Sequence, residues 1–375
     1  MSSRGRALKA ITLEPTDRIP GCEFLSNPDF ETQLTGIDAY LHPQKTRLRT
    51  LRLLDIDAID MISLTDEPSK TQFNKGESSK LNERGKKVVR WGAGRTWSWN
   101  HGYMFKSIDD ILKFDPVSFF LETRQQKIIF EDMDPIQRYF HLPLEEMSKE
   151  FNGYQNRMQK LVGDTALVGG FYYRTLFMWP LMLFGWEKFA ELTYCYKKEF
   201  RRIWDSFTQI SIKVMKAYAM TEIKFIFSHD DICFAQGPTF NPQWYRKNLY
   251  PYYEKIWAAL KEKGIKIIFL CDGNLDEVID DVLATGADGF LAEPCTDLEK
   301  FAKKYKNKAI LMGNVDSRIL LLGGKDDIRR EVERCTRFGK ECPGYFYSVS
   351  NHLAWNIPLD NIKYYFECCR EMGKR

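Results

Sequence analysis

The chain has 375 residues, enough for one large α/β domain or two ordinary ones, and its 55 Lys and Arg against 51 Asp and Glu leave a net charge of +4 without a basic block. So even a balance implies attraction to neither nucleic acid nor a membrane surface, and the longest apolar run, Leu176 to Phe184, contains Pro180 and is far short of a span. Nine cysteines, an odd number without CxxC spacing and with no secretory signal ahead of them, point to a reduced, cytoplasmic compartment.

Residues 1 to 17 read as a polar lead with one amphipathic turn (Leu8, Ile11, Leu13), and Asp17-Arg18-Ile19-Pro20 then enters a candidate first strand, Gly21 to Leu25. A helix from Lys45 to Leu54 precedes a second strand, Asp57 to Leu64, which ends near Thr65, Asp66 and Glu67. Residues 68 to 106 read as an insertion: a polar loop, then two alternating strands around Gly92-Ala93-Gly94, forming a hairpin over a barrel end. Helical patterns dominate from Ser107 to Leu161, a strand from Thr165 to Phe171 ends in Tyr172-Tyr173-Arg174, and a long helical zone runs from Trp186 to Met220.

Ile223 to Phe227 returns to strand and ends in Ser228-His229-Asp230-Asp231, and a helix from Pro242 to Glu262 leads to the most regular stretch, Gly264 to Glu293. There an apolar run stops at Cys271-Asp272-Gly273-Asn274, a helical pattern follows, and Gly289 to Glu293 is the next strand. In such a unit both parallel strands end at one rim, so Asp272 and Glu293 are expected to share a mouth. Beyond come a strand ending in Asn314 and Asp316, a helix from Asp326 to Phe338, a strand from Tyr345 to Val349 ending in Asn351-His352, and a last helix from Leu359 to Met372.

About eight alternations of strand and helix predict a single (β/α)8 TIM barrel, an α/β fold with an inserted hairpin and extra helices in its N-terminal half, whose site lies at the carboxyl ends of the strands. A doubly wound sheet is the rival, but no GxGxxG follows any strand. The strand ends then deliver Glu23, Asp66 or Glu67, Tyr172 to Arg174, His229, Asp230, Asp231, Cys271, Asp272, Glu293, Asn314, Asp316, Asn351 and His352. A loop aspartate such as Asp230 or Asp231 can serve the site or cap the next turn, and Cys271 can be a small buried hydrophobe. A carboxylate pair with a histidine suits a divalent metal such as zinc, although a metal-free acid/base site fits these residues nearly as well.

Asp17-Arg18-Ile19-Pro20, His229-Asp230-Asp231 followed by Gly237-Pro238 and Pro242-Gln243-Trp244-Tyr245, Cys271 to Asn274, Met312 to Asp316 and Pro358 to Ile362 resemble the uroporphyrinogen decarboxylase superfamily over most of the chain. That resemblance implies a (β/α)8 fold and one of two activities: cofactor-free decarboxylation of a porphyrinogen, or methyl exchange with the cobalt of a corrinoid protein, using zinc. The decarboxylase branch grips substrate carboxylates with a segment of the type RQAGRY, where this chain reads Gly21-Cys22-Glu23-Phe24-Leu25-Ser26-Asn27. Thiol-methylating members use His-x-Cys ahead of Gly-Asn and a later Cys as zinc ligands, where this chain has Leu270, Asp272 and Asn351-His352.

The shift from sulfur to oxygen and nitrogen resembles the methyltransferases of anaerobic O-demethylation. It implies zinc on Asp272, Glu293 and His352, with Cys271 and Asp316 in reserve, and His229, Asp231 and Asp272 as catalytic groups. Tyr172, Tyr173, Trp97, Trp99, Asp230 and Asn351 are then candidates to bind a small methoxylated, aromatic substrate, with Trp91 and Trp179 beside them. The cobalt corrinoid is expected on a partner protein, and a homodimer is compatible. A thiol methyltransferase, a decarboxylase and a non-catalytic ligand-binding barrel are the alternatives.

Overall fold

In the computed structural model every residue is described except 69–72, 74–76, 82–86, 91–95, 98–103, 123–137 and 350. The barrel is assembled from short apolar runs that are buried on both faces, as parallel strands under a helical layer must be. Its strands are the first (Phe24–Ser26), the second (Ala58–Ile59), the third, in two pieces (Leu167–Val168 and Gly170–Tyr172), and the fourth (Phe225–His229). The fifth (Lys266–Leu270), sixth (Gly289–Ala292), seventh (Ile310–Gly313) and eighth (Tyr345–Phe346) follow.

Every neighbour pairing is parallel, from Ala58 with Leu167 through Gly170 with Ile226, Phe225 with Lys266, Ile268 with Gly289 and Gly289 with Ile310 to Leu311 with Tyr345. Bridges of Gly21 with Tyr347 and of Cys22 with Ala58 join the first strand to the eighth and the second, so the ring closes. A further strand, His352–Ala354, pairs in parallel with Phe24–Ser26 and brings His352 beside Phe24.

Alternation along each strand sorts the core into two bodies. Phe225, Phe227, Ile268, Leu270, Leu291, Ile310, Met312 and Phe346 fill the barrel, whereas Ile226, Ile267, Phe269, Phe290, Leu311 and Tyr345 face the helical layer. Ala7, Ala10 and Ile11 join the inner body, so the helix Ser3–Ile11, begun by Ser2 accepting from Gly5 N–H at 3.2 Å, closes the barrel floor. The lead segment is therefore a plug rather than a single turn. Fully buried rings such as Phe225 and Phe227 each contribute about 1.5–3 kcal/mol.

The elements fall close to the expected ones, with instructive differences. The helical zone breaks into Trp186–Cys195 and Lys197–Ala219, and the next one into Pro242–Asn248 and Tyr250–Glu262, where Pro251 removes a backbone donor and starts a new first turn. The second strand is two residues long and stops well before Leu64. The insertion contains a three-stranded antiparallel sheet, with Ser79–Leu81 added to Lys87–Arg90 and Thr96–Trp97. Arg90, buried, anchors it: its guanidinium donates to Tyr40 Oη at 2.6 Å and lies 4.6 Å over the Trp355 ring. Among the described residues no helix is long and apolar enough to cross a membrane, and all nine cysteines are free thiols.

Candidate functional site

Strand parity decides what reaches the mouth. Phe171 faces inward, so Tyr173 does too; Phe227 is followed inward by His229, Leu270 by Asp272 and Leu291 by Glu293. His229, Asp231 and Asp272 come together there, with one ligating atom of each within 4.8 Å of the others. The His229 Nε2 and Asp231 Oδ1 are 2.9 Å apart, and the same oxygen accepts the Asp272 N–H at 2.9 Å. Glu293 stands alongside: its Oε2 accepts the Gly273 N–H at 2.8 Å, and the Asn351 amide bonds to both Glu293 and, at 3.5 Å, Asp272 Oδ1. Gly273 is required where the chain turns at φ +99°, since a Cβ there would lie 2.7 Å from the Phe234 carbonyl.

The electrostatics are those of crowded anions. Burial and then the charges of Asp231 and Glu293 push the Asp272 carboxyl up to about 8, although His229 favours its anion. Glu293 is also raised, by burial and by Asp231. Burial opposes the Asp231 anion as well, but His229 and the Asp272 N–H outweigh it and hold that carboxyl below the usual range. Burial likewise opposes an imidazolium at His229, and the three neighbouring carboxylates outweigh it and raise its pKa. The His229 Nδ1 is buried and has no hydrogen-bond partner among the described residues. A histidine and two carboxylates converging within 4.8 Å at the barrel mouth offer the nitrogen and oxygen donors that a metal of the zinc class takes, so these residues fit such a metal.

Around the cluster the walls are aromatic. Tyr173 lies edge-on to His229 with ring centres 4.5 Å apart, and Phe171 and Phe24 continue the wall on either side of the fully buried Phe227, 6.2 and 5.7 Å from its ring. His352 stands over Phe24 at 5.6 Å with its Nδ1 2.8 Å from Ser26 Oγ, outside the His229 cluster.

Several expected site residues are occupied elsewhere. Tyr172 points outward, its hydroxyl 2.8 Å from Ser211 Oγ and accepting from Trp179 Nε1 at 3.3 Å. Asp230, fully buried, points outward too and is held by four donors. Cys271 faces the helical layer, its Sγ accepting the Ile232 N–H at 3.3 Å. Asp316 caps the helix Ser317–Leu322 and binds the Arg318 guanidinium at 2.6 Å. Glu23 turns away from the mouth to Tyr365 Oη and the Val349 N–H. Asp66 is held by His42 and Lys45. Trp91 and Trp99 lie outside the described residues, as does the side chain of Trp97. The residues that sequence reading overlooked are the inward phenylalanines, Phe24, Phe171 and Phe227, for which two-residue alternation was the available signal.

A family model described as "Uroporphyrinogen decarboxylase (URO-D)" matches residues 161–372, more than half of the chain. A uroporphyrinogen decarboxylase of Syntrophotalea carbinolica is 25% identical over 181 residues, which is 48% of this chain and 51% of the relative. One of Thermus thermophilus is 25% identical over 133 residues, covering 36% of this chain and 38% of the relative. The chain thus spans about half the length, or less, of the curated relatives it matches. A methyltransferase from Methanosarcina mazei superposes with a TM-score of 0.62 at 18% identity over 99% of both chains, a likeness of fold.

Proposed function

The chain belongs to the uroporphyrinogen decarboxylase family, and we propose that within it the protein is a zinc-dependent methyltransferase that moves a methyl group from a methoxylated, aromatic substrate to the cobalt of a corrinoid protein. The observation that carries this reading is the cluster of His229, Asp231 and Asp272 at the barrel mouth. Those three, with Glu293 beside them, are the residues that would hold the metal. Bound there, zinc would supply a Lewis acid toward an ether oxygen, a role that an oxygen-rich donor set suits better than a thiolate-rich one.

The chain's own residues do the rest. Phe24, Phe171 and Tyr173, packed over the buried Phe227, form an apolar seat for an aromatic ring, and His352, tilted against Phe24, belongs to that seat. Asn351 spaces the Asp272 and Glu293 carboxylates, and Asp231 holds the Asp272 backbone, so the donor set is shaped before any ligand arrives. The first strand presents Phe24 where a polycarboxylate substrate needs cations, and Arg18 ahead of it is turned to Asp57. A decarboxylase is therefore the weaker reading. Cys271, turned away from the mouth, likewise disfavours a thiolate site.

The test is methyl transfer. The zinc-loaded protein, mixed with methoxylated aromatics and a reduced corrinoid protein, is expected to give methylcobalt absorbance and a demethylated phenol, both lost in Asp272→Asn. Release of carbon dioxide from uroporphyrinogen without methyl transfer would reverse the assignment.

A further inference from the structure

The wall of the barrel behind the mouth is unusual in being polar. Outward from the fourth strand point Ser228 and Asp230, both fully buried among aromatic side chains of the helical layer. The Asp230 carboxylate accepts backbone N–H groups from Leu176 and Phe177 on one oxygen, at 2.8 and 2.7 Å, and from Met178 on the other at 2.7 Å. The Tyr253 hydroxyl adds a fourth bond at 2.7 Å. Ser228 Oγ is 2.6 Å from Thr175 Oγ1 and accepts from Trp257 Nε1 at 2.9 Å, while the Thr175 N–H donates to the His229 carbonyl at 3.0 Å.

Five of these bonds seize one stretch of chain, Thr175 to Met178, and fasten it to the end of the fourth strand, and the other two, from Tyr253 and Trp257, tie that strand end to the helix Tyr250–Glu262. Two residues ahead of that stretch, beyond Arg174, stands Tyr173, whose ring abuts His229 from inside the barrel. A buried polar network is costly unless complete, and a complete one specifies a single chain path. Here that path runs to the ring beside the imidazole.

We propose that Asp230 is a positioning residue of the mouth: by holding the backbone of Leu176, Phe177 and Met178 outside the barrel, its carboxylate fixes the Tyr173 ring against His229 inside it, and so fixes the imidazole. Asp230 touches no ligand in this role; it acts through Tyr173. For its effect on a metal the inference rests on the reading proposed above, whereas its effect on the imidazole does not.

The experiment uses histidine-labelled full-length protein, first metal-free. The carbon-bound protons of His229 are shifted by the ring current of Tyr173, and Asp230→Asn is expected to move them to where Tyr173→Leu moves them. Tyr253→Phe, which removes one donor of four and spares the fold, shifts them the same way by less. Zinc affinity, read by chelator competition, is expected to fall 10–100-fold in Asp230→Asn. Arg6→Leu, a destabilising change at the barrel floor, is the control and leaves both readouts in place. Unmoved His229 resonances in Asp230→Asn and Tyr253→Phe would overturn the proposal, whatever the loss of stability. If the wild type binds no zinc, the methyltransferase reading falls, and the metal-free spectra still decide the role of Asp230.

Discussion

The two ends of the barrel both bury carboxylates, and they settle the cost in opposite ways. At the floor, Asp57 is fully buried and sits 2.5 Å from Arg6 Nη1, 3.3 Å from Arg18 Nη2 and 2.8 Å from the Gly21 N–H, while Asp17 takes the other edge of the Arg6 guanidinium at 2.6 Å. At the mouth, Asp231, Asp272 and Glu293 crowd together with His229 among them and the exposed Arg318 at their edge. Paired charge at the floor ties the plug helix to the barrel. Unbalanced charge at the mouth is held at a cost to the fold, which on the reading proposed above a bound cation would offset.

The sharpest way to break this comparison is to remove a charge from each end. Arg6→Leu leaves Asp57 buried without its nearest cation and is expected to lower unfolding stability in urea by about 3–5 kcal/mol without changing metal content. A third solution to the same problem is Glu23, which has hydrogen bonds but no ion pair among the described residues, and which burial pushes up to about 8 against the bonds from Tyr365 and Val349. The folded chain keeps there a proton that the unfolded chain sheds near 4.5, so the contribution is full below pH 4.5 and is lost as pH rises through 8. Measured between pH 5 and 8.5, the wild type should lose on the order of 4 kcal/mol relative to Glu23→Gln, whose amide can accept the Val349 N–H on its oxygen and donate an N–H to the Tyr365 hydroxyl.

At the mouth the sign reverses. Asp272→Asn relieves the crowding and should stabilise the metal-free protein by about 1–3 kcal/mol in thermal unfolding with chelator present, while abolishing metal binding. A destabilised Asp272→Asn would place that carboxylate with the structural ones. The smallest effect separates the adjacent tyrosines. Tyr172→Phe gives up the Ser211 bond and should cost about 1 kcal/mol with zinc affinity unchanged, whereas Tyr173→Leu should weaken zinc binding.

Much of this was legible in the sequence. Eight apolar runs between helical patterns gave the barrel because parallel strands buried on both faces need continuous hydrophobic segments, and Asp272 and Glu293 were correctly expected at one rim. What was missed follows from counting residues to a strand end without counting in twos. Two-residue alternation from Phe171 and Phe227 puts Tyr173 and His229 inside and Tyr172 and Asp230 outside. His229 and Asp231 were placed with the catalytic groups, and the structure sets them beside Asp272 as a candidate metal cluster; His352 stands apart because its strand pairs with the first one and its ring is taken by Ser26 and Phe24. Asp316 was within reach of a local reading, since it caps the helix Ser317–Leu322 and binds Arg318 only two residues on.

The most direct test is metal content after loading with zinc and removal of the excess, for the wild type beside Asp272→Asn, His229→Ala and Arg6→Leu. About one zinc per chain is expected in the wild type and in Arg6→Leu, and almost none in the two mouth variants. A wild type that holds no zinc, or a stoichiometric zinc that survives in both mouth variants, would contradict the assignment of the mouth carboxylates and His229 to a metal.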